Sequence, residues 1–247
     1  MKRSLQGAVF SVVLSGIAGI SPSLSASILA NSAPILLSQN VNFKPPDVTA
    51  PDNRIKPTKA GLDNCPRDLS IIALMPPSNS GLTVAESPIF FAYISQASTR
   101  VEFILQTQDT YNTLIYETTF TVEKPGIVGV SIPATGDNKK SLEVGKEYQW
   151  AFSVVCDPED RSTDYYVDGL VQRIEPVPSL TSELANPDPM ARAIAYAKNE
   201  IWYDTVTTLA QMLRKAPDDA VLTAEWRHLL KSQNLDSIAD RPLVQSF

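Results

Sequence analysis

The sequence predicts a mainly β protein: an antiparallel β-sandwich of about seven strands, followed by a C-terminal α-helical hairpin. Three observations carry this. Between residues 65 and 176 apolar side chains alternate with polar ones, at the period of two that half-buried strands need. Turn formers, among them Ser87-Pro88, Pro125-Gly126 and Pro133, separate the alternating runs. From about residue 179 the apolar spacing lengthens to three and four residues, the period of a helix face.

The strands fall at 70–75, 89–95, 101–107, 112–122, 127–132, 148–156 and 164–174. In the third, Val101, Phe103 and Leu105 oppose Glu102, Ile104 and Gln106. In the fourth, Leu114, Tyr116, Phe120 and Val122 oppose Thr113, Glu117, Thr119 and Thr121. The cleanest pattern puts Tyr148, Trp150, Phe152, Val154 and Cys156 on one face. Short alternating strands between regular turns are the signature of sandwiches, and the segment is long enough for its own core.

The helices begin at Asp188-Pro189, a capping acid before a proline at the first helical position. Met190, Ile194, Ala197 and Ile201 form one stripe, and Trp202, Val206, Leu209 and Leu213 the next. Pro217-Asp218 breaks the chain before Leu222, Trp226, Leu229 and Leu230. The spacing of Tyr203, Leu209 and Pro217 resembles one tetratricopeptide unit. One unit makes no solenoid, so the helices are expected to pack on the sandwich or on each other rather than to form a peptide-binding groove.

The amino terminus reads as a signal peptide over residues 1–27. Lys2 and Arg3 precede an uncharged apolar run from Ala8 to Ile20, and small residues follow. The run is shorter than a membrane-spanning helix requires, so no integral span is expected in the mature chain. Export places the protein in the periplasm or outside the cell. Residues 28–64 carry Pro34, Pro45, Pro46, Pro51 and Pro57 among polar neighbours, the composition of a linker. The remaining divisions are a β-sandwich domain at 65–178 and a helical segment at 179–247.

Charge narrows the partners. The chain carries a net −6, and loss of Lys2 and Arg3 with the signal would bring it to −8. An acidic chain without basic clusters is a poor match to nucleic acid. Two cysteines, Cys65 and Cys156, in an oxidising compartment predict a disulfide.

Catalytic patterns are sparse. His228 is the chain's one histidine, so the two-histidine zinc-protease motif is excluded. The segment Gly129-Val130-Ser131-Ile132-Pro133 lacks the second glycine of a nucleophile elbow, and no phosphate or dinucleotide fingerprint occurs. No cofactor is expected. The richest polar cluster is Asp157, Glu159, Asp160, Arg161 and Asp164, just after Cys156. Such carboxylates could ligate calcium, but the spacing departs from an EF-hand, and a turn with capped amides and an Arg–acid pair explains them too. No metal site is expected.

Five motifs together carry a resemblance. They are Gly81-Leu82-Thr83-Val84-Ala85-Glu86-Ser87-Pro88 with Phe90-Phe91-Ala92-Tyr93-Ile94, Pro125-Gly126-Ile127-Val128, Leu142-Glu143-Val144-Gly145-Lys146, the Cys156 to Ser162 run, and Trp202-Tyr203-Asp204 with Leu209-Ala210. The combination resembles the family called domain of unknown function 928, over about residues 64–216. That resemblance implies an exported protein of chiefly cyanobacterial type, and brings no activity and no catalytic residue.

The reading is therefore a noncatalytic binding or envelope-associated module, with an envelope protein or glycan as partner. Its expected contact surfaces are Asp157, Glu159, Asp160, Arg161 and Asp164 in the loop, and Trp202, Tyr203 and Asp204. The alternatives are a hydrolase of polysaccharide or peptide, and a calcium-dependent structural module.

Overall fold

The strand and helix patterns reappear in a computed structural model, which describes residues 40–45, 55–56, 65, 68–136 and 139–246. The expected signal peptide and most of the expected linker lie outside the described residues. The chain is β-rich, with two five-stranded sheets and four α-helices among the described residues. In chain order the strands are β1 (Ile55–Lys56), β2 (Ile71–Ala73), β3 (Ser80–Thr83), β4 (Ile89–Ile94), β5 (Thr99–Thr107), β6 (Leu114–Val122), β7 (Gly126–Ser131), β8 (Glu147–Val154) and β9 (Tyr165–Arg173). The helices α1 (Pro178–Leu184), α2 (Pro189–Lys198), α3 (Trp202–Lys215) and α4 (Ala220–Ser232) follow, and then β10 (Leu243–Ser246).

One sheet has the order β1-β2-β4-β7-β10 and the other β3-β9-β8-β5-β6. The pairing is not purely antiparallel, as the sequence had led one to expect. β3 runs parallel to β9, and β10 parallel to β7. Both parallel strands arrive from a distance: β3 lies in the opposite sheet from its sequence neighbours β2 and β4, and β10 returns after all four helices. A tight hairpin joins only antiparallel neighbours, so distant strands are free of that constraint.

The alternation predicts the buried faces well, with one instructive exception. In β5 and β8 the expected inward residues Val101, Phe103, Leu105, Tyr148, Trp150, Phe152 and Val154 are all buried. In β6, Phe120 and Val122 are buried, but Leu114 is 53% exposed. The register slips there: Leu105 faces Tyr116, and its neighbour Gln106 faces Leu114. A bulge inserts one residue and turns the strand beyond it, so the period of two fails at that point.

The helical part has four helices rather than a simple hairpin. Asp188 caps α2 as expected, accepting from the amides of Met190 (3.1 Å) and Ala191 (3.2 Å). The stripes read as continuous through Ile201, yet α2 stops at Lys198. Glu200 takes φ +61°, and the Ile201 amide donates back to the Tyr196 carbonyl at 3.0 Å. This left-handed helix ending usually falls on glycine or asparagine, so a glutamate there gave no warning of it.

Helix α3 joins the strands into one core. Phe90 of β4 lies 5.2 Å from Phe103 of β5, 5.6 Å from Trp150 of β8 and 5.5 Å from Tyr203 of α3, ring centre to ring centre. Gly81 of β3 makes room for this packing: a Cβ there would sit 2.9 Å from the Tyr203 ring and 3.1 Å from Trp202 Cβ. Part of the expected linker also belongs to the fold. Val41 and Phe43 are buried, and Phe43 meets Trp202 edge-on at 4.8 Å. The Val41 amide donates to Glu225 Oε2 of α4 at 2.9 Å, and Gln233 Nε2 donates to the Phe43 carbonyl at 3.1 Å. Apolar side chains spaced by two in an otherwise polar stretch explain the docking.

Cys65 and Cys156 form a disulfide, with Cα atoms 4.7 Å apart and a sequence separation of 91. Closing so long a loop stabilises the fold by about 4–5 kcal/mol in the chain-entropy treatment.

Candidate functional site

The 156–164 loop is polar but closed on itself. Asp157 Oδ1 accepts from the Glu159 amide at 2.8 Å. Asp160 caps a single 3-10 turn, Arg161–Thr163, accepting from the amide (3.0 Å) and hydroxyl (2.6 Å) of Ser162. These bonds, the hydroxyl's first, hold its pKa below the ordinary carboxylate value. Asp164 accepts from the Cys156 amide at 3.1 Å and from Arg161 Nε at 2.5 Å. Arg161 then forks onto both oxygens of Glu102 on β5, at 3.3 and 2.8 Å. Those bonds, Glu102's before Asp164's, raise the guanidinium's pKa and keep it charged. The loop is thus a turn that ties the disulfide end of β8 to β5. Among the described residues, no three His, Cys, Asp or Glu side chains are grouped to hold a metal ion.

Trp202, Tyr203 and Asp204 are buried rather than forming a contact surface. Trp202 Nε1 donates to the Leu74 carbonyl at 2.9 Å. Trp150 Nε1 donates to the Tyr203 hydroxyl at 2.6 Å, and that hydroxyl donates to the Leu170 carbonyl at 2.9 Å. Each polar tip is satisfied inside the protein, which is what allows large aromatic groups to anchor a core. Burial raises the Tyr203 phenol well above its ordinary pKa.

Asp204 accepts from Thr83 Oγ1 at 2.7 Å and from the Val84 amide at 3.2 Å. Burial pushes its carboxyl up to about 6, although both bonds pull the other way. It borders a small cleft of about 130 Å³ with Thr83, Ser87, Thr207 and Gln211. That volume is below the range of organic-ligand sites.

The larger concavity lies elsewhere, where the end of α3, the face of α4 and the approach to β10 meet. It measures about 410 Å³, inside the range of small-molecule sites. Leu213, Arg214 and Pro217 form one wall, Thr223, Trp226 and Arg227 a second, and residues 239–243 the third. Trp226 is itself buried. Three arginines, Arg214, Arg227 and Arg241, therefore share this lining with one aspartate, Asp240. Arg227 Nε donates to Asp240 Oδ1, which engages one of the five donors of that group. Arg241 sits 5.6 Å above the Tyr93 ring, close enough for cation–π attraction. Partial burial lowers the pKa of Arg214 from its ordinary value.

The sequence reading named Leu213, Pro217 and Trp226 only as helix-face and helix-breaking residues, and named none of the arginines. Each arginine belongs to a different local segment, and only helix packing brings them together. The sole sequence signal was basic residues recurring late in an acidic chain.

His228 is on the exposed side of α4, with Nε2 3.1 Å from Asn42 Oδ1. Both cysteines are in the disulfide. Among the described residues, no helix is long and apolar enough to cross a membrane.

Among the described residues, the fold is thus β-rich, two five-stranded sheets with four helices and one disulfide. The chain belongs to the family described as Domain of Unknown Function (DUF928), whose profile matches residues 58–243. The match runs past residue 216, where the motif resemblance ended, and takes in α4 and Arg241. No curated protein matches the chain.

Proposed function

We propose that the protein is an exported, noncatalytic binding module that takes its ligand into the groove between α3, α4 and the segment leading to β10. The observation that carries this is the groove's lining: three arginines and a buried tryptophan around about 410 Å³, at the surface of a chain with net charge −6. The side chains best suited to nucleophilic or proton-transfer chemistry lie outside it. Both cysteines are bridged, and His228 meets Asn42. The disulfide fits the oxidising compartment to which the amino-terminal pattern would send the chain. We also read the two sheets as the layers of a sandwich, on the ring contacts of Phe90 with Phe103 and Trp150.

The test is a thermal-shift screen of the purified chain against glycans, peptides and small organic acids, repeated with Arg241→Gln and Trp226→Phe. A compound that raises the melting temperature of the native chain, is recovered unchanged and loses its effect in both variants supports the reading. Conversion of that compound to product, or a shift that both variants retain, refutes it.

A further inference from the structure

The groove's chemistry points to a narrower class of ligand, resting on the reading of the groove as a binding site. We infer that it takes an organic oxyanion, a carboxylate or phosphate borne on a flat apolar body. Charge supplies the first part of the case. Arg214, Arg227 and Arg241 against Asp240 leave the lining with an excess of two positive charges, in a chain whose sum is −6. Basic groups gathered in a concavity of an acidic protein concentrate anions locally.

Geometry supplies the second part. Guanidinium groups present planar forks that match the two oxygens of a carboxylate or phosphate. They come from three separate elements, the last turn of α3, the middle of α4 and the segment before β10. An anion between them would be approached from several sides. Asp240 holds Arg227 by Nε, and the Tyr93 ring lies under Arg241. Both contacts restrain these long side chains before any ligand arrives, which lowers the entropy cost of binding.

The rest of the lining argues for the apolar body. Leu213, Pro217, Pro242 and Leu243 supply carbon surface, with Trp226 buried in the wall of α4. A bare inorganic anion would leave that surface in water. A flat hydrophobic group carrying the oxyanion would cover it, and apolar burial is the main source of affinity in such sites.

The experiment is calorimetric titration of the purified full chain with phenyl phosphate, phenylacetate, benzyl alcohol and inorganic phosphate. Arg214→Gln and Arg241→Gln follow, each first checked for an unchanged melting temperature; two variants on different walls guard against one that misfolds. Saturable binding of phenyl phosphate or phenylacetate is expected, weakened roughly tenfold or more in each correctly folded variant, since a charge-assisted bond contributes about 1.5–3 kcal/mol. The preferred one of the two identifies which oxyanion the groove favours. Benzyl alcohol binding as tightly as either anion would overturn the oxyanion and leave the groove a binding site. Inorganic phosphate binding as tightly as phenyl phosphate would overturn the apolar body. Binding by none of the four would overturn both this inference and the binding reading beneath it.

Discussion

The 156–164 loop and the α3–α4 groove are both rich in charge, and they use it in opposite ways. In the loop, Asp157, Asp160 and Asp164 point at nearby backbone amides, and Arg161 closes onto Asp164 and Glu102. The charge is consumed in holding a turn next to the disulfide. In the groove, three arginines from successive elements of the C-terminal segment share a concavity with apolar side chains. Density of charge in sequence therefore marks a structural turn here, whereas convergence of charge in space marks the groove proposed as the site.

That contrast can be broken from either side, and the largest effects should come from the loop side. Replacing both cysteines, Cys65→Ser with Cys156→Ser, is expected to cost about 4–5 kcal/mol in urea unfolding under nonreducing conditions. A cost near zero would mean that the loop end of β8 is held without the bridge.

The next effect is a pH dependence from Asp204, which belongs to neither region and sets the background for both. Its folded pKa is raised to about 6, against about 3.9 unfolded. The folded state therefore binds its proton more tightly. Stability should rise as pH falls from about 7 to about 4, by about 3 kcal/mol at most, and the gain is complete below the unfolded value. Asp204→Asn keeps an acceptor for Thr83 and Val84 and should flatten this part of the profile. The exposed acids Glu86, Asp109 and Asp160 have lowered pKa values, so they act with the opposite sign. The difference between native and variant curves isolates Asp204.

Smaller still is Asp164→Asn, which removes one of the two ionic partners of Arg161 and weakens the acceptor of the Cys156 amide. It should cost about 1–2 kcal/mol in unfolding experiments and leave ligand binding unchanged. The smallest stability effect belongs to the groove itself. Arg214→Gln and Arg241→Gln should unfold within about 1 kcal/mol of the native chain, although each loses affinity for the ligand. Groove variants that destabilise like loop variants would erase the distinction.

Much of the architecture was legible in the sequence because it rests on local periods. The Tyr148 to Val154 alternation, the Asp188-Pro189 cap and the break at Pro217-Asp218 are each decided within a few residues, and each is found where the pattern put it. The loop's capping acids and the Arg161 pair were among the alternatives for the same reason. What escaped was decided at long range. β3 contains Gly81, a weak strand former that is needed where Tyr203 and Trp202 press against it. β10 is four residues long and pairs with β7, which precedes it by more than a hundred positions. Trp202 and Tyr203 looked like recognition aromatics, but their hydrogen bonds to Leu74, Trp150 and Leu170 are set by the tertiary fold. The groove's arginines lie on three successive elements, α3, α4 and the segment before β10, so the turn between the helices, not a spacing within one helix, brings them together.

The division between structural loop and binding groove can be read residue by residue. Backbone amide chemical shifts of the isotope-labelled full chain would be followed while phenyl phosphate is added. The expected result is saturable shifts confined to Arg214, Thr223, Trp226, Arg227 and residues 239–243, with residues 156–164 unmoved. Shifts centred on the 156–164 loop, with the groove unmoved, would contradict it.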